Sequence, residues 1–273
     1  MDQTAEQHRA RRGRKPGEHA APASVQVLDR ALHLLEIVSS RDGALLTDIA
    51  DVTGMAPSTT HRLLTSLASH GMISADPETG LWTIGVRAFE IGNGFLRQRK
   101  LGAISRSFLT ALMQESGETA NLAIEDGGDV VFVSQVESHA PMRAFCRPGR
   151  RGPMHASGIG KAILAARPDS EVKSLLGHRK LERFTGKTLD TQPALHADLE
   201  AIRARGWSLD DEEHTVGMRC IAAPVFNEYG EAVAGLSISG PAVRLPYERI
   251  GELGPKVREA ADALTAASGG RRP

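Results

Sequence analysis

The stretch Met55–Leu67, MAPSTTHRLLTSL, decides how the chain is read. Pro57 has the fixed φ and the missing amide that suit a first helical turn. Thr60, Leu63, Leu64 and Leu67 then recur three and four apart and form one apolar stripe. At 100° per residue Ser58, Arg62, Thr65 and Ser69 point away from that stripe, and Thr59 and His61 lie on its flanks. A recognition helix needs this division, with one side held by other helices and the other slim enough to approach a groove. Hydroxyls and first-turn amides suit phosphate oxygens, and Arg62 can reach guanine bidentately. Ser58, Thr59, Thr60, His61, Arg62 and Thr65 are therefore the candidate DNA-contacting residues. A plain amphipathic helix with a solvated face would carry the same pattern, so the neighbouring segments decide.

Upstream, Leu28, Leu32, Leu35 and Val38 recur at helical spacing, and the pattern fades at Ser39–Gly43. A shorter helix fits Thr47–Val52, with Thr47 as N-cap and Gly54 closing it. Downstream, two strand-like pieces, Met72–Ala75 and Leu81–Ile84, flank the turn residues Asp76-Pro77-Glu78-Thr79-Gly80. Three helices followed by a hairpin make a winged helix-turn-helix pattern, whose wing can add a backbone contact. Charge opposes nonspecific DNA binding, because Ala23–Phe95 holds four basic and eight acidic residues. Arg62, the helix dipole and the basic N-terminal arm must then carry much of the attraction, and a second copy in a dimer would add to it.

The 273 residues exceed one average domain, and an apolar fraction of 41% can fill real cores. No apolar run approaches the ~18 residues of a membrane span, and the N-terminus lacks a signal-peptide core, so a cytoplasmic protein is expected. Cys146 and Cys220 are the only cysteines, which excludes a disulfide scaffold. Formal net charge is zero, so no global field draws in a polyanion. The first 22 residues carry five basic and three acidic side chains, including RRGRKP at Arg11–Pro16. They read as a disordered arm that either solubilises the chain or touches DNA.

Gly85–Glu115 reads as mostly helical, and beyond Thr119 strands and helices alternate. NLAIED and VVFVSQV flank a Gly127-Gly128 turn, CIAAPVF and AVAGLSIS flank another, and helices are expected near Ile159–Ala166, Glu171–Leu176, Pro193–Arg205 and Tyr247–Ala267. Three segments suit a small anion. In His155-Ala156-Ser157-Gly158-Ile159-Gly160-Lys161, Ser157 can cap a helix whose first amides stay open to a carboxylate. The GxxxxGK[ST] spacing of a phosphate loop is missing. Asp210-Asp211-Glu212-Glu213 would ordinarily be a solvated loop. In Ser237-Ile238-Ser239, both hydroxyls share one strand face while Leu236 and Ile238 take the other. A Cys220–His155 nucleophile pair acting on 2-oxo acids is the alternative reading, and it needs hydrogen-bond reach and an oxyanion site. The ten histidines offer no helical ligand pair with a third ligand, so no metal site is expected.

LLTDIADVTGMAPSTTHRLLTSLASHGMI, MHASGIGKAILA, RGWSLDDEEHTVGMRCIAAPV and GLSISGP together resemble the IclR family of bacterial transcriptional regulators, over Ser24 to about Ala267. The likeness extends to its acetate-operon and glyoxylate-responsive members. The resemblance implies an α+β chain: a disordered arm over 1–23, a winged helix-turn-helix over 24–86, a linker helix over 87–103 and a GAF-like α/β effector domain over 104–270. It implies an effector site at Asp210, Cys220, Ser237 and Ser239, with backbone amides near Gly158 and Ile159. A carboxylate on amides and serines, with Asp210 either protonated or accepting from a hydrated aldehyde, points to a small 2-oxo acid, glyoxylate before pyruvate. The expected partners are duplex operator DNA and further copies of the chain, as dimer or tetramer, with no cofactor and no enzymatic activity. Both repression and activation stay open.

Overall fold

The computed structural model describes residues 25–98, 101–144, 146–177 and 179–273, which divide into two compact units between Asn93 and Gly94. The basic arm expected over 1–23 lies outside the described residues.

The first unit opens with helices α1 (Gln26–Ser40), α2 (Leu46–Thr53) and α3 (Pro57–Ser69), followed by strands β1 (Ile73–Ala75) and β2 (Trp82–Ile84). The strands pair antiparallel, and Ala44 bridges to Trp82 as a third rung beside the wing. The core contains Leu34, Ile37, Val38, Ile49, Leu64, Ile73 and Trp82. Gly54 ends α2 in the left-handed region at φ 65°, as the sequence predicts. Two expectations are corrected. The N-cap of α2 is Leu45, not Thr47, which sits inside the helix, and no side chain caps that end. On α1 the buried face is Leu34, Ile37 and Val38, while Leu28 and Leu32 stay half exposed. Their spacing is helical, but the core takes the neighbouring face and leaves these leucines outward. The linker expected as one helix over 87–103 is described as α4 (Val86–Gln98), with α5 (Leu101–Ser116) beginning after it.

The second unit is built on a six-stranded antiparallel sheet with strand order β5-β4-β3-β8-β7-β6. The strands are β3 (Thr119–Asp126), β4 (Asp129–Val136), β5 (Arg151–Pro153), β6 (Ser208–Asp211), β7 (Met218–Phe226) and β8 (Ala232–Pro241). Strand alternation sends Leu122, Ile124, Ile221, Ala223, Leu236 and Ile238 to one face, where α5 and α9 (Tyr247–Ala267) cover them. The opposite face packs under α6 (Gly158–Ala165), α7 (Asp169–Leu176) and α8 (Gln192–Arg205) through Ile163, Leu164, Leu195, Leu199 and Ile202. The result is a three-layer α/β/α unit joined in sequence to a winged helix-turn-helix, the α+β organisation expected. A cavity opens where the start of α6 meets β6, β7 and β8.

Candidate DNA interface and effector cavity

On α3, Ser58, His61, Arg62 and Thr65 are exposed and Thr59 is half-buried. Ala56 is the N-cap, no side chain closes the helix start, and no acid stands in its first turn. The amide end of the dipole therefore faces outward unneutralised. His61 is braced edge-on against Trp82 of β2, with ring centroids 6.3 Å apart. Thr60 is a correction: it is fully buried and its hydroxyl donates to the Ala56 carbonyl at 3.3 Å, so it packs the helix and cannot meet a groove. Ser66, not singled out from the sequence, is exposed on the same polar face. At the wing tip the Asp76 carboxylate accepts the amides of Glu78 and Thr79 at 2.8 and 3.2 Å, which hold it below the usual carboxylate range. That tip presents Asp76 and Glu78, so it repels phosphate.

In the second unit a cavity of about 250 Å³ collects side chains from separate segments. Strand register builds one wall. Asp210 pairs with Cys220, Cys220 with Ser239, and Ser239 with Thr119, so one row crosses β6, β7, β8 and β3. Above the row, Ser157 caps α6 by accepting the Gly160 amide at 3.1 Å. The amides of Gly158 and Ile159 sit in the first turn, where a helix provides no internal acceptor. Gly158 is required here: a Cβ would stand 2.8 Å from the Cys220 sulfur. Ser157, Gly158, Ile159, Asp210, Cys220 and Ser239 all line the cavity, and the exposed Arg143, Arg150 and Arg151 belong to its rim.

Ser237 is the second correction. It is fully buried in the next register row, opposite Ala222 and Asn121, and takes no part in the cavity lining. Asn121 Nδ2 reaches both serines, donating to Ser239 Oγ at 3.3 Å and Ser237 Oγ at 3.5 Å, and Gln135 Nε2 donates to Asn121 Oδ1 at 3.0 Å. Ser237 thus belongs to the support of Ser239. Asn121 was missed because a lone amide inside the apolar run NLAI looks like a strand residue; its polarity within that run was the available signal.

Burial governs the chemistry. It pushes the Cys220 thiol up to about 12, with Asp210 adding to the effect, so the sulfur stays a neutral donor at physiological pH. Burial also raises Asp210 to about 6, against the opposing pull of the Glu213 amide and Lys161. His155, the base of the alternative enzymatic reading, is buried with Nε2 against the Glu182 carbonyl at 2.9 Å and does not line the cavity. Among the described residues, Asp169, His196 and Glu200 place ligand atoms within 4.8 Å of one another, but Arg203 binds both carboxylates, at 2.8 and 2.5 Å. That surface group is satisfied as an ion-pair network.

A winged helix-turn-helix with an open polar face, carried on the same chain as a second domain with a lined cavity, is the organisation of a DNA-binding transcriptional regulator. Residues 94–266 match the family model described as bacterial transcriptional regulator IclR C-terminal, and residues 27–77 match the IclR helix-turn-helix domain. The chain belongs to the IclR family. It is similar to the HTH-type transcriptional regulator BhcR of Paracoccus denitrificans, with 47% identity over 93% of this chain and 91% of that protein. It is 44% identical to the transcriptional repressor IclR of Escherichia coli, over 96% and 98% of the two chains, and 43% identical to the acetate operon repressor of Salmonella typhimurium, again over 96% and 98%. Among solved structures, the Thermotoga maritima IclR superposes with a TM-score of 0.77 at 29% identity over 90% of this chain and all of that one. A Rhodococcus regulator superposes with 0.79 at 29%, over 89% and 98%. These relatives are transcriptional regulators, not enzymes. Among the described residues no helix is long and apolar enough to cross a membrane.

Proposed function

We propose that this regulator binds its operator as a homo-oligomer and that a small 2-oxo acid, glyoxylate first, controls that binding. The observation that carries the reading is the row of Asp210, Cys220 and Ser239 set beneath the open amides of Gly158 and Ile159. The amides and Ser239 suit a carboxylate, and the neutral Cys220 thiol suits a carbonyl or hydroxyl oxygen. Asp210, raised to about 6, either takes up a proton beside the anion or, ionised, accepts a hydrogen bond from a hydrated aldehyde. Two relatives are named as repressors, one of them of the acetate operon, which favours repression of acetate- and glyoxylate-type carbon metabolism. The reading requires no cofactor. Homo-oligomers are supported by apolar side chains left outside the first unit's core: Leu28 and Leu32 on α1, and Val86, Phe89 and Ile91 on α4.

The test is a glyoxylate titration of the protein bound to labelled upstream DNA, paired with calorimetry of Ser239→Ala. Glyoxylate should change operator affinity by at least the tenfold that ~1.4 kcal/mol of differential binding produces. Ser239→Ala should lose ~1–2 kcal/mol of glyoxylate affinity and keep operator binding without ligand. An unaltered glyoxylate isotherm for that variant would remove Ser239 from the site.

A further inference from the structure

Lys161, on α6 three residues after Gly158, has no exposed surface. Its ammonium donates to Asp198 Oδ2 at 2.7 Å, to the Leu209 carbonyl at 2.6 Å and to Glu213 Oε1 at 2.5 Å, which uses all three of its protons. Glu213 is itself buried, and its amide donates to Asp210 Oδ1 at 2.8 Å. A single chain of contacts therefore runs from α8 through Lys161 to the turn that holds the cavity's carboxylate. Glu213 Oε2, in contrast, is buried with no hydrogen-bond partner.

Charge around this cluster does not balance. Asp198, Asp210 and Glu213 face Lys161, and the other nearby cation, Arg205, stands 3.8 Å from Asp198. Asp211 is engaged outward by Arg219, Lys187 and Tyr247. His214, the next ring along the chain, is shifted toward its neutral form by burial and by Arg150 and His155. Cys220 contributes a neutral thiol, and Thr185 and Thr188 present only hydroxyls, to the Glu213 carbonyl. The cavity rim adds three exposed arginines: Arg143 paired with Glu137, Arg151 paired with Asp126 and Asp129, and Arg150. An arriving carboxylate still brings one more negative charge beside the buried acids, where charge taken out of water is costly.

Building on the effector reading above, we propose that Lys161 and Glu213 are positioning residues for Asp210, and that a 2-oxo acid anion enters this cavity together with one proton, held on the Asp210–Glu213 pair. The unpartnered Glu213 Oε2 is where that proton relieves a buried charge. Burial raises Glu213 to about 7 and Asp210 to about 6, so the pair exchanges a proton within the physiological range and does so as one coupled unit. Because the bound state holds the extra proton, glyoxylate affinity falls as pH rises above those values, by up to about tenfold per pH unit.

The deciding measurement is calorimetric titration of the full chain with sodium glyoxylate at about pH 7.5, in phosphate and in HEPES, whose protonation heats differ and neither of which forms an imine with the aldehyde. The expected result is a buffer-dependent heat corresponding to uptake approaching one proton, with an affinity that drops several-fold by about pH 8.5. Glu213→Gln keeps the shape of the side chain but cannot take up a proton. It should cut the uptake by at least half and flatten the pH profile, effects a purely structural role would not produce. Should that variant fail to fold, the affinity–pH curve of the unaltered protein decides alone. Equal heats in the two buffers with a flat affinity–pH curve would overturn the proposal and leave the effector reading standing. No heat from glyoxylate or pyruvate would overturn the effector reading and the coupling with it.

Discussion

Residues 58–65 of α3 and residues 210–213 are both short polar runs, and the fold uses them in opposite ways. On α3, Ser58, His61, Arg62 and Thr65 stand in solvent on a helix whose other side is packed, and of the polar residues in this run Thr60 alone is buried. At the end of β6, Asp210 and Glu213 are buried, while Asp211 and Glu212 between them stay half-buried in ion pairs with Arg219 and Lys187. An exposed polar face costs nothing to keep and waits for a partner of opposite charge. A buried pair of acids must be compensated inside the protein, so its presence marks chemistry that the interior requires. The difference lies in solvation, and solvation follows from where a segment sits in the sheet.

Lys161→Met tests the buried side most severely. Leaving Asp198 and Glu213 without their cation should lower unfolding free energy by ~3–5 kcal/mol. Chemical denaturation showing a loss under ~1 kcal/mol would mean that the cluster is hydrated and the contrast is false. Stability against pH sharpens the same side. The ordinary values of Asp210 and Glu213 are 3.8 and 4.5, and the folded values are about 6 and about 7, so the native state binds more protons between the two sets. Their contribution is fully present below about pH 4 and is lost as pH rises to about 7, by at most ~3 kcal/mol for each group. Urea titrations across that range should show Glu213→Gln losing less than the parent protein; parallel curves would count against the buried acid.

On the exposed side, Arg62→Ala should weaken operator binding by ~1–3 kcal/mol while changing stability by no more than ~0.5 kcal/mol. A gel-shift titration that does not move would dismiss its role. The smallest effect is expected from Thr60→Val, which loses one hydroxyl bond to Ala56 and should shift stability by under ~1 kcal/mol with no change in DNA affinity. An affinity loss matching that of Arg62→Ala would return Thr60 to the interface.

Local chemistry made much of this legible. Pro57 at the first turn of α3, Gly54 after α2, the Asp76–Gly80 turn and the Ser157 cap all act within a few residues of themselves, and each is found where the sequence pattern puts it. The alternation in GLSIS likewise sorts Leu236 and Ile238 from Ser237 and Ser239. Depth along a face was not legible. Ser237 and Ser239 look equivalent by period two, yet one lies beneath the cavity and the other on its wall. Lys161 has no role in the sequence reading because the phosphate-loop spacing is missing, although a lysine in the otherwise apolar GIGKAILA signals a buried partner.

The sequence by itself determined the two units, the helix prepared to face DNA and the segments that meet in the second unit, because caps, turns and periodicity are interactions between near neighbours. Only the tertiary structure decided that Ser237 turns away from the cavity, that Asn121 supports the serines, and that Lys161 and Glu213 stand behind Asp210. Those outcomes depend on strand register and on which charges lose their water, and both are settled between residues tens of positions apart.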